Sequence, residues 1–447
     1  MCWTRWPSLG ATTGSVGSRV LPMMAVTPVR SGSDGRVIEL REHGSSLEHL
    51  NPDQGHALTL VAPDVLDVRP TRRPGEYRLR AGGVVGTLVV GGVTVRIRPK
   101  VRLSTLLYLL SGSLDAVTWF DQEYGRSPTD DLASVLYAMY ARLLGRSLQA
   151  GLVHSYRHRH DRVTRVQGRL DFGELARTPH RPPVPAPCDF DEFTADTDLN
   201  RFLKAAAVDA AVDRNLPRGI RRLLRGHLAA MHEVSDGAPR PESLDGHVFT
   251  RLDRHYATPA RLARLILARR FIAEHAGVAH GDTFLVDMST VFEDHVAEGL
   301  RRRMPDDVTV EREPRTAFDR DRHLVMKPDI VFFRNRRPVH VADVKYKLLE
   351  GGRGRSGDLY QAHAYSTVMG LPASSLLYAE REGGPPPKHV EVIGSGTAIE
   401  THELALRGTP TDVEAALDRL AEALRPHLRS PADRSRTTRG VQVPIGA

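Results

Sequence analysis

Two acidic residues and a lysine lie on neighbouring strand-like runs, in a pattern that suits metal-ion chemistry. Asp329 opens an apolar run, and Asp343 and Lys345 lie two residues apart on the next apolar run. Side chains on a strand alternate between its faces, so Asp343, Lys345 and Lys347 are predicted to share one face. Carboxylates beside an ammonium group can hold Mg²⁺ and position water against a phosphodiester. The pattern therefore favours metal-assisted hydrolysis.

The same spacing also fits a surface hairpin with a solvated charged face, because D-x-K triplets are common in long chains. The flanking sequence favours a site. The basic turn over residues 334–338 separates two β-type runs, as a hairpin requires. Upstream, the apolar positions of residues 287–300 fit helical spacing, with Ser289 or Thr290 as a possible cap. Glu293 then lies at the edge of the buried stripe, where it could be a third metal carboxylate.

A second helix is predicted downstream of the hairpin, after a glycine-rich loop. It begins near Asp358 and places Tyr360 or Gln361 where either side chain could face the acidic pair. The predicted order from residue 281 onward is helix, three strands, helix and strand. The site would thus be framed by one helix before the hairpin and one after it.

These segments together resemble McrC, the nuclease subunit of McrBC-type modification-dependent restriction systems, within the PD-(D/E)xK superfamily. The resemblance covers roughly residues 37–425. Its matching segments, in chain order, are 37–44, 85–88, 95–100, Val166–Asp171, Cys188–Arg201, Asp287–Arg301, Lys327–Lys347 and Asp358–Tyr365. Their order along one chain is more specific than any single motif.

The resemblance implies roles for individual residues. Asp329 and Asp343 match the family's metal carboxylates, and Lys345 matches its catalytic lysine. Glu293 matches the glutamate of the preceding helix, and Gln361 matches the glutamine after the active-site strands. One departure is that the second acid is Asp343, where many relatives in the superfamily have Glu. Aspartate is shorter but is also a hard oxygen ligand for Mg²⁺.

The resemblance also implies partners. They are Mg²⁺, double-stranded DNA carrying 5-methylcytosine, and a McrB-like AAA+ GTPase hexamer that residues 37–165 would bind and stimulate. The chain has no Gly-x-x-x-x-Gly-Lys-Ser/Thr segment, so it is expected to bind no nucleotide itself. Two other functions stay open at this point. One is a stand-alone nuclease of DNA repair, and the other is a non-catalytic regulator of an AAA+ ring.

Composition agrees with a nucleic-acid partner. The chain carries 62 Lys and Arg against 54 Asp and Glu, a formal charge of +8, and binding to phosphates is largely electrostatic.

Its two cysteines, Cys2 and Cys188, cannot supply a disulfide framework or a thiolate metal site. There is no apolar run long enough to span a membrane and no signal-peptide core. We therefore expect a cytoplasmic protein.

The expected fold is of the α+β or α/β class, with a restriction-endonuclease-like core at the C-terminal end. Residues 1–36 and 426–447 are predicted to be disordered tails, the second one basic. Residues 37–165 form a β-rich and helical partner-docking domain, in which residues 57–61 are a predicted strand. Residues 166–280 form a helical accessory region, and residues 281–425 form the nuclease domain.

Further clusters have competing interpretations. Arg218, Arg221, Arg222 and Arg225 form a basic helical patch that could contact DNA phosphates or be simply exposed. Lys347 and Tyr360 are further candidate DNA contacts.

The spacing of His154, His158 and His160 is conceivable for a metal site, but the sequence nearby shows no matching acidic or cysteine cluster. A basic, DNA-facing or solvated strand is the favoured interpretation. Asp196 and Asn200 are predicted to cap and pack a helix start.

Overall fold

The structure is a computed structural model that describes residues 36–114, 132–213, 216–237, 247, 249–275, 283–346, 355–379 and 389–428. This part of the chain contains five sheets and ten α-helices. The two predicted tails lie almost entirely outside it, and so does Lys347. None of the described helices combines the length and the apolar character needed to cross a membrane.

The N-terminal region contains two small sheets and one helix. Its elements are β1 (Arg36–Arg41), β2 (Ser45–His49), α1 (Pro52–Thr59), β3 (Leu66–Pro70), β4 (Glu76–Ala81), β5 (Val84–Val90) and β6 (Val93–Arg98). In the first sheet β6 pairs with β1 in parallel and with β5 in antiparallel orientation. In the second sheet β4 lies between β2 and β3. Alternate residues of β6 are buried, as a strand covering a core on one face requires.

The strand predicted at residues 57–61 is wrong, because residues up to Thr59 belong to α1. Asn51 caps this helix, because its side-chain oxygen accepts a hydrogen bond from the Gln54 backbone N–H, and the Asn51 backbone N–H donates to the Gln54 side-chain oxygen. Pro52 occupies the first turn, where its missing N–H costs nothing. This reciprocal capping box fixes the helix start and outweighs the β-type composition of its last residues.

The middle region is mainly helical. Its elements are α2 (Leu103–Ser111), α3 (Leu132–Gln149), β7 (Ser155–Val163), β8 (Arg169–Leu170), α4 (Phe172–Arg177), β9 (Ala186–Thr194), α5 (Asp198–Ala211), α6 (Arg218–Ala230), a 3₁₀ turn (Arg254–Tyr256) and α7 (Ala257–His275). Helices α3, α5, α6 and α7 pack against one another around a shared apolar core. Strand β9 lies between β7 and β8 in a separate three-stranded sheet, here called the exposed sheet.

The C-terminal region is built on a six-stranded mixed sheet. Its elements are β10 (Phe284–Asp287), α8 (Met288–Arg301), β11 (Val308–Arg312), β12 (Thr316–Ala317), β13 (Val325–Met326), β14 (Ile330–Arg334), β15 (Arg337–Lys345), α9 (Arg355–Met369), β16 (Ala373–Ala379), β17 (His389–Glu391), β18 (Ala398–Leu404), α10 (Pro410–Leu424) and a 3₁₀ turn (Arg425–Leu428). The strand order is β11-β14-β15-β16-β18-β17. The predicted helix, three strands, helix and strand correspond to α8, β11, β14, β15, α9 and β16.

The N-terminal and C-terminal regions share a sheet. Strand β10 pairs with β5 in antiparallel orientation, and the Met288 backbone then donates a hydrogen bond to the Gly83 carbonyl at 3.0 Å. Gly86 permits the close approach, because a Cβ there would lie 2.0 Å from the Phe284 carbonyl oxygen. Its φ of +127° is also one that L side chains rarely adopt. The start of α8 is thus fixed directly to the N-terminal sheet.

Candidate active site

The predicted hairpin is the pair β14 and β15 at the centre of the six-stranded sheet. The turn residues Asn335 and Arg336 both have positive φ, as a tight two-residue hairpin turn requires. Asp329 lies just before β14, and its Oδ2 atom accepts a hydrogen bond from the Val344 backbone N–H at 2.7 Å. This bond fixes the first acid against the strand that carries Asp343 and Lys345.

Asp343 is a buried carboxylate paired with a partly buried lysine. Its side chain is 1% exposed, and Lys345 Nζ lies 2.6 Å from its Oδ2 atom. Its Oδ1 atom is buried and accepts no hydrogen bond from the described residues. Burial and the neighbouring Asp329 charge raise the pKa of Asp343 to about 7, although Lys345 opposes the shift. The fold thus places a charge-bearing group where ionisation is costly.

Lys345 is held from two sides. Besides the ion pair, its Nζ atom donates a hydrogen bond to Gln361 Oε1 at 3.2 Å. Gln361 Nε2 donates to the Tyr365 hydroxyl at 2.7 Å, and that hydroxyl donates to the Lys327 carbonyl at 3.3 Å. Burial lowers the pKa of Lys345, but the charge and hydrogen bond of Asp343, together with the charges of Asp329 and Asp358, outweigh burial and the net pKa is raised. The lysine therefore stays cationic beside the acid.

Helix α8 positions the third predicted acid. Its N-cap is Asp287, whose side chain accepts a hydrogen bond from the Ser289 backbone N–H at 2.9 Å. The predicted cap at Ser289 or Thr290 is therefore wrong by two or three residues, because the carboxylate of Asp287 reaches the free N–H groups of the first turn. Phe292 is buried, so the neighbouring Glu293 comes to the margin of the packed face.

Glu293 is electrostatically linked to Asp329. Burial, followed by the charge of Asp329, raises the pKa of Glu293 to about 8, while Arg312 opposes the shift. The Arg312 guanidinium lies 3.5 Å from Glu293 and 2.9 Å from Asp294. Because the Asp329 charge also acts on Asp343, the three carboxyls lie within electrostatic reach of one another. Sequence reasoning did not find Arg312, since nothing in its local pattern distinguishes it from other surface arginines.

The two aspartates of the hairpin offer oxygen ligands of the kind that Mg²⁺ prefers. The buried Oδ1 atom of Asp343 lacks a hydrogen-bond donor among the described residues, and buried carboxyls with raised pKa values are typical of functional sites. In the described part of the chain, Asp329, Asp343 and Glu293 do not bring three ligand atoms within 4.8 Å of one another, and Glu293 contacts Arg312. Asp329 and Asp343 are therefore the candidate metal-holding pair.

The remaining candidate DNA contacts are dispersed. Tyr360 is 73% exposed on α9, one residue before Gln361. Arg222 and Arg225 are exposed on α6, and no carboxylate of the described residues forms an ion pair with either. Arg221 is half-buried and donates a hydrogen bond to the Leu216 carbonyl at 2.8 Å. Within the described part of the chain, helix α6 packs mainly on α3 and α5, and its main packing partners do not include the β14–β15 hairpin.

The three histidines near β7 lie on the exposed sheet, and the expectation that no acidic cluster matches them is wrong. His158 Nδ1 lies 3.2 Å from Asp191, while His160 lies 2.7 Å from Asp189 and 3.0 Å from Glu174. The pairing of β7 with β9 brings together residues about thirty positions apart, which local spacing could not reveal. Ligand atoms of His160, Asp171 and Glu174 all lie within 4.8 Å of one another.

These exposed groups already satisfy one another, however. Glu174 also accepts a hydrogen bond from Arg162 at 2.7 Å, and Arg159 pairs with Glu192 at 3.0 Å. The exposed sheet is thus a surface ion-pair network.

The start of α5 is capped and packed as the sequence predicts, but the cap is Thr197 and not Asp196 or Asn200. Thr197 is the N-cap, and Asn200 Nδ2 donates hydrogen bonds to the Val153 and Ala195 carbonyls at 2.8 and 2.7 Å. Asp196 accepts hydrogen bonds from Arg201 and Ser235. These contacts join α5 to the end of β9 and to the segment after α6.

Comparison with known proteins identifies the family. The model of the family described as McrBC 5-methylcytosine restriction system component matches residues 79–379. This match covers about two thirds of the chain, which therefore belongs to that family. The McrC-type resemblance drawn from the motifs is confirmed. Among curated proteins, no sequence matches the chain.

Two solved structures are similar at low sequence identity. One is a half-complex of Thermococcus gammatolerans McrB AAA+ hexamers with bound McrC, 20% identical, covering 86% of this chain and 100% of that chain with a TM-score of 0.46. The other is the McrBC complex of the same organism, 21% identical, covering 60% of this chain and 88% of that chain with a TM-score of 0.39.

Proposed function

We propose that this chain is the Mg²⁺-dependent endonuclease subunit of a 5-methylcytosine-dependent restriction complex. The observation that carries the proposal is the Asp343–Lys345 ion pair. It is buried at the end of β15, and Asp329 is bonded to the intervening Val344. A purely structural hairpin gains little from a buried carboxylate whose Oδ1 atom has no donor, because desolvating the charge is costly.

The carboxylates of Asp329 and Asp343 would hold the metal, and Glu293 would support them from outside the pair. Mg²⁺ would supply a Lewis acid for the phosphate and an activated water. Lys345 orients the attacking water and offsets negative charge on the pentavalent phosphorus. Gln361 keeps the ammonium group in place through its 3.2 Å hydrogen bond.

DNA and a second protein are the proposed partners. The net charge of +8 suits a polyanionic substrate, and Tyr360, Lys347 and the α6 arginines Arg221, Arg222 and Arg225 are candidate contacts. Membership of the McrBC family supports a McrB-like AAA+ GTPase as the protein partner. The chain has no P-loop, so nucleotide hydrolysis would belong to that partner and be stimulated by this subunit.

The direct test is cleavage of methylated and unmethylated plasmid with Mg²⁺, with and without the partner GTPase and GTP. We expect cleavage only when partner, GTP and methylation are all present. Asp343→Ala is expected to abolish cleavage while the protein stays soluble and binds its partner, because the residue serves the metal rather than the fold.

Other outcomes have defined meanings. Cleavage by the chain alone, whatever the methylation, would favour a general nuclease such as one of DNA repair. Faster GTP hydrolysis by the partner without cleavage would favour a regulatory subunit. Loss of soluble Asp343→Ala protein would make the aspartate structural and contradict the assigned role.

A further inference from the structure

Glu42 is a buried acid that the proposed chemistry does not use. It follows β1 in the N-terminal sheet, and its side chain is 0% exposed. A fully buried glutamate is unusual unless it is paired or hydrogen-bonded, because removing its charge from water costs free energy. Burial raises the pKa of Glu42 to about 7. Something in the structure must offset the cost of placing it there.

One hydrogen-bond partner of Glu42 lies in the C-terminal region, 304 positions away. The Tyr346 hydroxyl donates a hydrogen bond to Glu42 Oε2 at 3.2 Å. The Lys100 backbone N–H donates to the same oxygen at 3.4 Å. The other carboxylate oxygen, Oε1, lies 3.7 Å from His43 Nε2 and accepts no hydrogen bond from the described residues.

Tyr346 is the residue immediately after Lys345, and its side chain points to the opposite face of the chain. It is 4% exposed, and its ring lies 5.6 Å from the ring of Phe292, the neighbour of Glu293 on α8. Tyr346 therefore contacts the helix that carries Glu293 and follows the strand that carries Asp343 and Lys345. Its hydroxyl is bonded to the N-terminal sheet.

The Glu42–Tyr346 bond therefore attaches the end of the strand that carries Lys345 to the N-terminal sheet. Displacement of a catalytic group by about 1 Å can lower a rate by about a hundredfold. A bond at this position can therefore influence the reaction without touching the substrate.

We propose that Glu42 and Tyr346 form a positioning pair, through which the N-terminal sheet sets the location of Lys345 and Asp343. The proposal rests on the proposed nuclease function. It makes the N-terminal sheet part of the active-site framework as well as of the expected partner-docking region. Neither residue is expected to contact DNA or Mg²⁺.

The central variant is Tyr346→Phe in the full chain, which removes the hydroxyl and keeps the ring packing on Phe292. We expect kcat for cleavage to fall about tenfold with KM for DNA unchanged, because positioning acts on the reaction and not on substrate binding. Hydrogen exchange of residues 341–346 is expected to become faster. Tyr140→Phe is the matched control, since it removes a buried hydroxyl that donates to the Leu203 carbonyl at 2.5 Å, outside the active-site region.

Variants of Glu42 separate hydrogen bonding from charge. Glu42→Gln keeps an oxygen that accepts the tyrosine bond, so it should retain nearly the wild-type kcat. Glu42→Ala should behave like Tyr346→Phe, and the double variant should be no slower than either single variant, as expected for two members of one interaction.

Wild-type kcat and unchanged hydrogen exchange in folded Tyr346→Phe would overturn the positioning pair. Equal losses in Tyr140→Phe and Tyr346→Phe would also overturn it, since the effect would then be general destabilisation. If the wild-type chain cleaves nothing with its partner, the nuclease proposal fails. Hydrogen exchange of residues 341–346 then still decides whether Glu42 fixes this strand end.

Discussion

The β14–β15 hairpin and the exposed sheet both hold acid–base pairs, along strand β15 in the hairpin and across strands β7 and β9 in the exposed sheet, yet their environments differ. In the hairpin, Asp343 is 1% exposed and Lys345 is 16% exposed. In the exposed sheet, Arg159 and Glu192 are each about 40% exposed. Exposed pairs contribute little to stability because water screens them, whereas a buried carboxylate has a perturbed pKa. Burial, rather than residue type, therefore distinguishes a candidate reactive site from a solvated ion-pair surface.

The largest expected difference in cleavage is between two variants, each with one acid replaced, one in the hairpin and one in the exposed sheet. Asp343→Asn is expected to reduce cleavage to background, because a neutral amide is a poor ligand for Mg²⁺. Asp189→Asn removes a partner of His160 on the exposed sheet and is expected to leave cleavage unchanged. Plasmid cleavage under identical conditions measures both. Cleavage by the Asp343→Asn protein would mean that burial does not distinguish the candidate active site from the exposed sheet.

Lys345 should have the next largest effect. Lys345→Ala is expected to lower kcat by about 10²–10³, the usual loss when one charge-stabilising donor is removed from a transition state. Lys345→Arg should not restore the rate, since a planar guanidinium cannot replace a compact ammonium group beside Asp343 and Gln361. Single-turnover cleavage measures the rate of the chemical step directly. A rate near wild type in both variants would assign the lysine to folding alone.

The raised pKa values predict how Mg²⁺ affects stability at different pH. Asp343 and Glu293 have folded-state pKa values of about 7 and about 8, above those of the unfolded chain. Their contribution to the stability of the metal-free protein is therefore full below the unfolded-chain pKa values of about 4, and it is lost progressively as pH rises from there through the folded-state values of about 7 and about 8. The proposed Mg²⁺ ion would be held by the ionised carboxylates, so it should raise the melting temperature more at about pH 8 than at about pH 6.

Thermal unfolding of the wild-type protein and of Asp343→Asn at both pH values checks this expectation. The variant should lose most of the Mg²⁺ effect. An equal Mg²⁺ effect in the two proteins would mean that the cation binds elsewhere.

The smallest expected effect concerns arginines with and without an acidic partner. Arg222 and Arg225 on α6 have no carboxylate partner among the described residues, whereas Arg157 and Arg159 pair with Asp196 and Glu192. Replacing Arg222 and Arg225 with Gln should weaken DNA binding. It should also reduce the slope of the logarithm of the binding constant against the logarithm of salt concentration, by the equivalent of about two released counterions. The matched Arg157 and Arg159 double variant should change neither quantity. Binding isotherms over a salt series measure both, and equal slopes would show that α6 does not contact DNA.

Much of the site was predictable from the chain because its signals are local. The two acids, the lysine and the two-residue turn lie within Asp329–Lys345, and strand alternation places Asp343 and Lys345 together. The helix before the hairpin was also predictable, but its cap was misassigned by two or three residues. Residues 57–61 were predicted as a strand because their composition is apolar, whereas the capping box at Asn51 and Gln54 fixes them in and just after α1.

The sequence by itself determined the order of the elements around the hairpin, the residues available for chemistry and the family resemblance. Tertiary structure decided which of those residues are buried and which meet. It buried Asp343, brought the acids of β9 against the histidines of β7, and joined Glu42 to Tyr346 across 304 positions. The physical reason is that desolvation and long-range hydrogen bonds depend on how distant segments pack, while alternation, capping and turn preference act within a few residues of each other.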